Sequence, residues 1–421
     1  MTPVEIEEVI DTHHDHVNSG MARLMRLLNV GIETSADGAY VVDHQGTRYL
    51  DCGGYCVFLI GRRHPKALKA AYTQLETIAL GSRLLINRQQ ADAAKALAAI
   101  APVGLDYVWF ANSGAESVEA AIKIARMNGK RRFIAMKGGY HGKTTGALSL
   151  THSPKYRAPF LPLLPDVDFI DYDDIHALND AIGEDGSDAA VILEPIQSEA
   201  GVVIPGDGYL KAVERACRST GAMLIMDEIS TGLGRTGAWW YCTEENVVPD
   251  ILLCGKALSG GLVPVSALIC SADLYRGLNI NPLIHTSTFA GSPLVSAVVK
   301  ATIETLVDLD APMRARTIGS RIASGIQAIQ SRHGYPFVAD VRGRGLLIAI
   351  EFTDEAYAGE FLLEMVSNGV LISHSLNAHA IARLTPPLML SDVDIALLLT
   401  AVDNSLSSIH KRYFENNGDI T

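Results

Sequence analysis

The chain is short of charge, and of positive charge above all. Asp, Glu, Lys and Arg make up only 19% of its 421 residues, and the balance is a net charge of −12. No basic run with interleaved aromatics occurs, which argues against a nucleic-acid or anionic-membrane surface. Cysteine is scarce too. Its six occurrences, at positions 52, 56, 217, 242, 254 and 270, lack a paired spacing and fall mostly in apolar stretches. They read as reduced, buried thiols of a cytoplasmic protein, not as a disulfide framework. Residues 1–10 alternate acids with apolar residues without a basic segment, which is not a secretion signal. No apolar run approaches membrane-spanning length, and no repeat or low-complexity segment appears. What is plentiful is core material, with hydrophobic residues at 48%. A soluble globular protein is expected, with two or so domains or one large domain and a small appendage.

The pattern over 4–28 reads as helical and partly exposed. Segments 40–43 and 47–51 read as a small hairpin whose turn Gly46 supplies. Helical patterns follow at 65–77 and 88–100, then a strand at 107–110 and a helix at 115–128 stopped by Gly129. Apolar strands at 133–136, 189–193, 222–226 and 251–254 are separated by helical segments such as 209–219. That alternation predicts an α/β fold with a mostly parallel sheet buried on both faces. After a long helix starting near Pro293 the pattern changes. Segment 341–352 alternates with glycines, 370–373 and 381–384 are short strands, and 391–413 is a closing helix. Residues 1–64 and 301–421 are therefore assigned to a small α+β domain, and 65–300 to a large one.

Lys256 is the most informative residue. It stands where the apolar strand 251–254 runs into a loop bracketed by Gly255, Gly260 and Gly261. An amine held against apolar neighbours loses hydration, which disfavours its ammonium form and frees the lone pair for Schiff-base chemistry. A second apolar strand ends in Asp227 and Glu228, the place where ligands bind in open α/β sheets. The turn Ser113-Gly114-Ala115 opens a helix, and its amides suit a phosphate, although a plain Ser N-cap fits the same residues. Tyr140, in Gly139-Tyr140-His141-Gly142, offers a ring to stack or else a core aromatic. A reactive amine, a buried carboxylate, a phosphate cup and a stacking ring are what pyridoxal phosphate requires of a protein.

A rival reading takes Asp227 and Glu228 as the acidic strand end of a nucleotide triphosphatase, with Gly142-Lys143-Thr144 as its phosphate loop. That loop needs four residues between its glycines, and Gly138 and Gly142 enclose three. The cluster His13, His14 and His16 has no matching ligand group at a metal spacing and reads as a solvated helix face. No metal is expected.

Taken together the motifs resemble the class III aminotransferases of the type I pyridoxal-phosphate fold, nearest the putrescine, acetylornithine and ornithine branch. The resemblance runs from Asp51-Cys52-Gly53-Gly54 to Pro386-Pro387. It implies that Lys256 carries pyridoxal 5'-phosphate as a Schiff base and that Asp227 pairs with the ring nitrogen. It further implies that Ser113, Gly114 and Ala115 bind the phosphate, and that Tyr140 stacks on the ring with His141 beside it. In His285-Thr286-Ser287-Thr288-Phe289, Thr288 would reach the phosphate of a neighbouring subunit, implying a homodimer with shared sites. In the segment 194–201, Glu199 corresponds to a residue that masks an Arg, here Arg383, until a dicarboxylic substrate arrives. Both together favour a two-substrate aminotransferase over an aminomutase or racemase relative, and a same-fold aminomutase or decarboxylase is the alternative. Departures stand at Ser230, where a Gln near the cofactor's phenolic oxygen is common, at Ala290 and Ser292, and at Arg62-Arg63-His64. The last are expected near the substrate entrance and leave the amine open, from a diamine or omega-amino acid to a specialised amine. The expected partner pair is glutamate with 2-oxoglutarate, or alanine with pyruvate.

Overall fold

The computed structural model of the chain describes residues 2–28, 31–82 and 84–415. At its centre is a seven-stranded sheet. Its strands stand in the order Tyr107–Ala111, Ser266–Cys270, Ile251–Cys254, Met223–Asp227, Ala189–Leu193, Arg132–Met136, Val167–Ile170. Every pairing is parallel except those of Ser266–Cys270, which runs antiparallel to both neighbours. The middle strands are buried along their whole length. Alternate residues feed opposite layers, as the two-residue period of a strand demands. Leu224, Met226, Leu252 and Cys254 pack into one core. Met223, Ile225, Ile251 and Leu253 pack into the other. All six cysteines are free and buried.

Two smaller sheets complete the fold. One joins Glu33–Asp37, Tyr40–Asp43 and Arg48–Asp51 to Val370–Leu371. The other holds Val338–Arg344, Leu347–Phe352, Ile381–Leu384 and Ser373–His374. The single strand expected at 370–373 is thus divided between them. Its first half pairs in parallel with Arg48–Asp51, and its second half pairs antiparallel with Ile381–Leu384. This split ties the N-terminal hairpin to the C-terminal segment.

Other differences have local causes. The stretch 4–28 forms two helices, Pro3–His16 and Ser19–Leu28, because Asn18 accepts the Met21 amide at 2.9 Å and starts a new one. The helix after Pro293 ends at Asp308, and Asp310, at φ +46°, separates it from Ala311–His333. Strands Val167–Ile170 and Ser266–Cys270 went unread. The first is interrupted by exposed Asp168, and the second is a short run beside the Lys256 loop. Among the described residues no helix is long and apolar enough to cross a membrane.

The three middle strands, Ala189–Leu193, Met223–Asp227 and Ile251–Cys254, are apolar up to their carboxyl ends, where the polar groups gather. Asp227 and Lys256 close or follow two of them, Ser113 follows Tyr107–Ala111, and Glu194 follows Ala189–Leu193.

Candidate active site

Lys256 opens a single 3-10 turn, Lys256–Ser259, with its own backbone at φ +42°. A non-glycine residue there costs about 1–3 kcal/mol, a strain that persists only where surrounding structure imposes it. Its amine is half-buried and donates to the Ser230 hydroxyl at 2.6 Å. The shorter side chain at position 230 therefore meets the lysine directly.

Asp227 lies 3% exposed in side chain, with Oδ2 at 2.7 Å from Nδ1 of a fully buried His141. Its other oxygen accepts the Ile229 amide at 3.1 Å. The His141 amide in turn donates to Thr151 Oγ1 at 2.8 Å. His141 is thus fastened to the carboxylate itself, a contact that its place beside Tyr140 in sequence did not foretell. Glu228 is directed elsewhere. It receives the Thr231 hydroxyl at 2.5 Å and the Cys242 amide at 2.8 Å.

Ser113 caps the helix Gly114–Met127 by accepting the Glu116 amide at 3.3 Å. The first intrahelical bond runs from the Ser117 amide to the Ser113 carbonyl. Gly114 and Ala115 therefore keep the free amides of the first turn among the described residues, and those donors favour an anion. A Cβ on Gly114 would come to 2.9 Å from Ile229 Cδ1, so a side chain would fill the cradle. The capping and phosphate readings of Ser113 are both compatible with this turn. Ile229, two residues past Asp227, was missed because a single apolar residue between Glu228 and Ser230 gives no signal.

Tyr140 is half-buried, and burial first, then Glu199, Tyr156 and Glu194, push its phenol up to about 12. Its amide donates to Glu194 Oε1 at 2.9 Å. Beyond it lies Arg383, wholly buried, with Nη1 at 2.8 Å from Glu199 Oε1. The same nitrogen reaches the Ser198 carbonyl at 3.1 Å and its hydroxyl at 2.9 Å. Arg383 Nε and Nη2 are buried without a partner among the described residues. Glu199 also accepts the Leu376 amide at 3.1 Å. Burial raises the Glu199 carboxyl, but Arg383 and Lys256 together outweigh it and the net shift is downward.

Thr288 stands apart. It is exposed and lines a hollow of about 280 Å³ with Leu84, Leu85, Ile86, Ala290 and Ser292. Its neighbour Ser287 receives a hydrogen bond from Asn112 at 2.8 Å, next to the Ser113 turn. Arg62 pairs with Asp51 at 2.5 Å and lies over the Phe58 ring at 3.7 Å, so it fastens the N-terminal segment. The nucleotide reading also fails. The helix after Lys143, Thr145–Leu150, has its Gly146 and Ala147 amides turned onto the Glu119 carboxylate, at 2.8 and 3.3 Å. A phosphate cannot share a cup that a carboxylate fills.

A parallel-rich sheet with an amine, a paired buried acid and an anion cup at its strand ends is the architecture of a type I pyridoxal-phosphate enzyme. The model of the family Aminotransferase class-III matches residues 26–406. The chain belongs to that family and is a pyridoxal-phosphate-dependent aminotransferase. Similar solved structures include the ornithine aminotransferase of Toxoplasma gondii ME49, 31% identical, covering 98% of this chain and 100% of that one, with a TM-score of 0.86. Another structure of the Toxoplasma gondii enzyme shows the cofactor at partial occupancy in its active site. The acetylornithine aminotransferase of Elizabethkingia anophelis is 29% identical over 93% and 99% of the two chains, with a TM-score of 0.78. An (S)-enantioselective omega-transaminase of Thermomicrobium roseum is 27% identical over 96% and 98%, with a TM-score of 0.88. The free Gly114 and Ala115 amides, the Lys256 amine and the buried Asp227 suit the three chemical ends of pyridoxal phosphate.

The Arg383–Glu199 pair makes a stability prediction. Glu199→Ala leaves a buried guanidinium uncompensated, at a cost of about 3–5 kcal/mol. Because the Glu199 carboxyl is held below its ordinary 4.5, the contribution is present above that pH and disappears as pH falls through the lowered value. Denaturant midpoints of the two proteins should differ most near neutrality and converge in acid. A gap unchanged in acid contradicts the ion pair.

Proposed function

We propose that the protein moves an amino group in two half-reactions, from an amine to the cofactor and from the cofactor to a keto acid or aldehyde. The amine is a diamine, an omega-amino acid or a specialised amine, and the partner pair is glutamate with 2-oxoglutarate or alanine with pyruvate. The observation that carries this reading is the buried Arg383–Glu199 pair. An Arg fork fits a substrate carboxylate, and Arg383 has two donors without partners. Glu199 cancels the charge when a carboxylate-free amine occupies the site, and yields when an acid arrives.

When bound, pyridoxal phosphate supplies a carbonyl carbon to receive the amino group and a ring that withdraws electrons from it. Lys256 would hold the group and act as acid and base at the substrate carbon. Ser230, 2.6 Å away, orients that amine by accepting its hydrogen bond. Asp227, fixed by His141 and the Ile229 amide, would hold the ring nitrogen and favour its protonated form. A pair of this kind is worth about 4 kcal/mol at an effective dielectric near 20. Ser113, Gly114 and Ala115 would take the phosphate, and Tyr140 would cover the ring. Thr288 serves a second copy of the chain across an interface built on exposed Leu84, Leu85, Ile86, Leu283 and Phe289. The protein is read as a cytoplasmic homodimer.

Borohydride reduction of the yellow protein should fix the label on Lys256, whereas a label on Lys123 or Lys143 overturns the assignment. Asp227→Asn should lower turnover on the order of 10²–10³-fold, as loss of that pair requires, and near-normal turnover would make Asp227 structural.

Homodimerisation is expected to place Thr288 in the other subunit's site. Mixing inactive Lys256→Ala with a crippled Thr288→Ala variant should alter the recovered activity through hybrid dimers. A monomer in sedimentation at working concentration contradicts the shared site.

Arg383→Ala should impair the half-reaction with glutamate or 2-oxoglutarate by about 2–5 kcal/mol, the range for removing one member of a buried charge pair. The half-reaction with a carboxylate-free amine should suffer much less. Equal losses in single-turnover measurements of both return Arg383 to a structural role.

A further inference from the structure

Glu194 follows the buried strand Ala189–Leu193 and is itself only 4% exposed. Its two carboxyl oxygens serve different loops. Oε1 accepts the Tyr140 amide at 2.9 Å, and Oε2 accepts the Ser198 amide at 3.3 Å. The first loop carries Tyr140 and His141. The second carries Ser198 and Glu199, both in contact with Arg383. Two further ties run alongside, from Gln197 Nε2 to the Lys137 carbonyl at 2.8 Å and from Asn377 Nδ2 to the Gly138 carbonyl at 3.1 Å. Those are neutral amides, whereas Glu194 is ionisable.

We propose that Glu194 is a positioning residue for amino transfer, whose carboxylate holds the Tyr140 loop and the Glu199 loop in one register and whose protonation releases one of them. The proposal rests on the reading of Arg383 and Glu199 as the substrate gate.

The argument is one of donors and acceptors. A carboxylate only accepts, and its two oxygens suit two amides at once. A protonated carboxyl presents a hydroxyl, so one of the two amides then meets a donor and loses its bond. An unmade bond at a buried group is strongly disfavoured, so the released loop must move to find another partner. Burial pushes the Glu194 carboxyl up to about 7, with Asp227 adding to the rise and His141, Lys256 and the Tyr140 amide opposing it. Arg383, Tyr140 and Tyr172 also feel this carboxyl from their own elements. Both phenols are themselves held high by burial and stay neutral across the relevant range. The sign follows. A carboxyl raised above 4.5 contributes most to global stability in acid, and that contribution is lost as pH rises through about 7. The local tie runs the other way, since both amides are held only by the carboxylate.

The test is amide hydrogen exchange on the cofactor-loaded enzyme, read as protection factors at Tyr140 and Ser198 at about pH 6 and about pH 8.5. With the carboxyl near 7, the protonated fraction is roughly nine tenths at the lower pH and about 0.03 at the higher, so one of the two amides should lose about thirtyfold in protection at the lower pH. Glu194→Gln accepts at one end and donates at the other, and should show the low value at both pH values. The wild-type 2-oxoglutarate half-reaction should lose kcat/KM below about pH 7, and the variant should be flat through that range. Protection that is equal at both pH values in the wild type overturns the proposal. That comparison needs no variant, so a Glu194→Gln chain that fails to fold leaves it intact. A missing pH step with an Arg383-dependent half-reaction removes Glu194 alone. A pH step present in an enzyme indifferent to Arg383→Ala removes the gate alone.

Discussion

Charge can be kept in this interior only where something meets it, and that constraint shapes the whole site. The middle strands of the sheet are apolar on both faces and admit no polar group along their length. Ionisable side chains are therefore gathered at the strand ends, each with its own partner. Asp227 has His141, Glu199 has Arg383, and the Lys256 amine has Ser230. A ligand that enters this ring of satisfied groups must replace a bond or use one left open. Open groups among the described residues include the Gly114 and Ala115 amides, His141 Nε2 and two nitrogens of Arg383.

The same constraint explains which parts of the site could be read from sequence. Lys256 and Asp227 were legible because their signal is local, an apolar strand ending in a charge. The Ser113 turn was legible for the same reason, though its capping role was equally so. The partnership of Glu199 with Arg383 joins segments far apart in the chain and came from family resemblance alone. The contacts of His141 with Asp227, and of Glu194 with two loops, came from neither source. They depend on which strand lies beside which, and Arg132–Met136 and Met223–Asp227 flank Ala189–Leu193 only in the folded sheet.

The fold shows the same division. The parallel core followed from buried apolar runs between helices. The antiparallel strand Ser266–Cys270 was lost because a short run beside a glycine loop carries no direction. The split of 370–373 between two sheets was invisible because a two-residue strand has no period. The contacts of Arg62 with Asp51 and the Phe58 ring were likewise invisible, since they form only when that segment folds on itself.

The central claim is that this site transfers amino groups in two separable steps. Its most direct test is the absorbance of the cofactor-loaded enzyme mixed with one substrate at a time. Glutamate alone, or an amine donor alone, should convert the cofactor to its aminated form and stop there. Addition of 2-oxoglutarate or pyruvate should restore the original spectrum. Full turnover with a single substrate, release of carbon dioxide, or no spectral change with any amine would contradict the account.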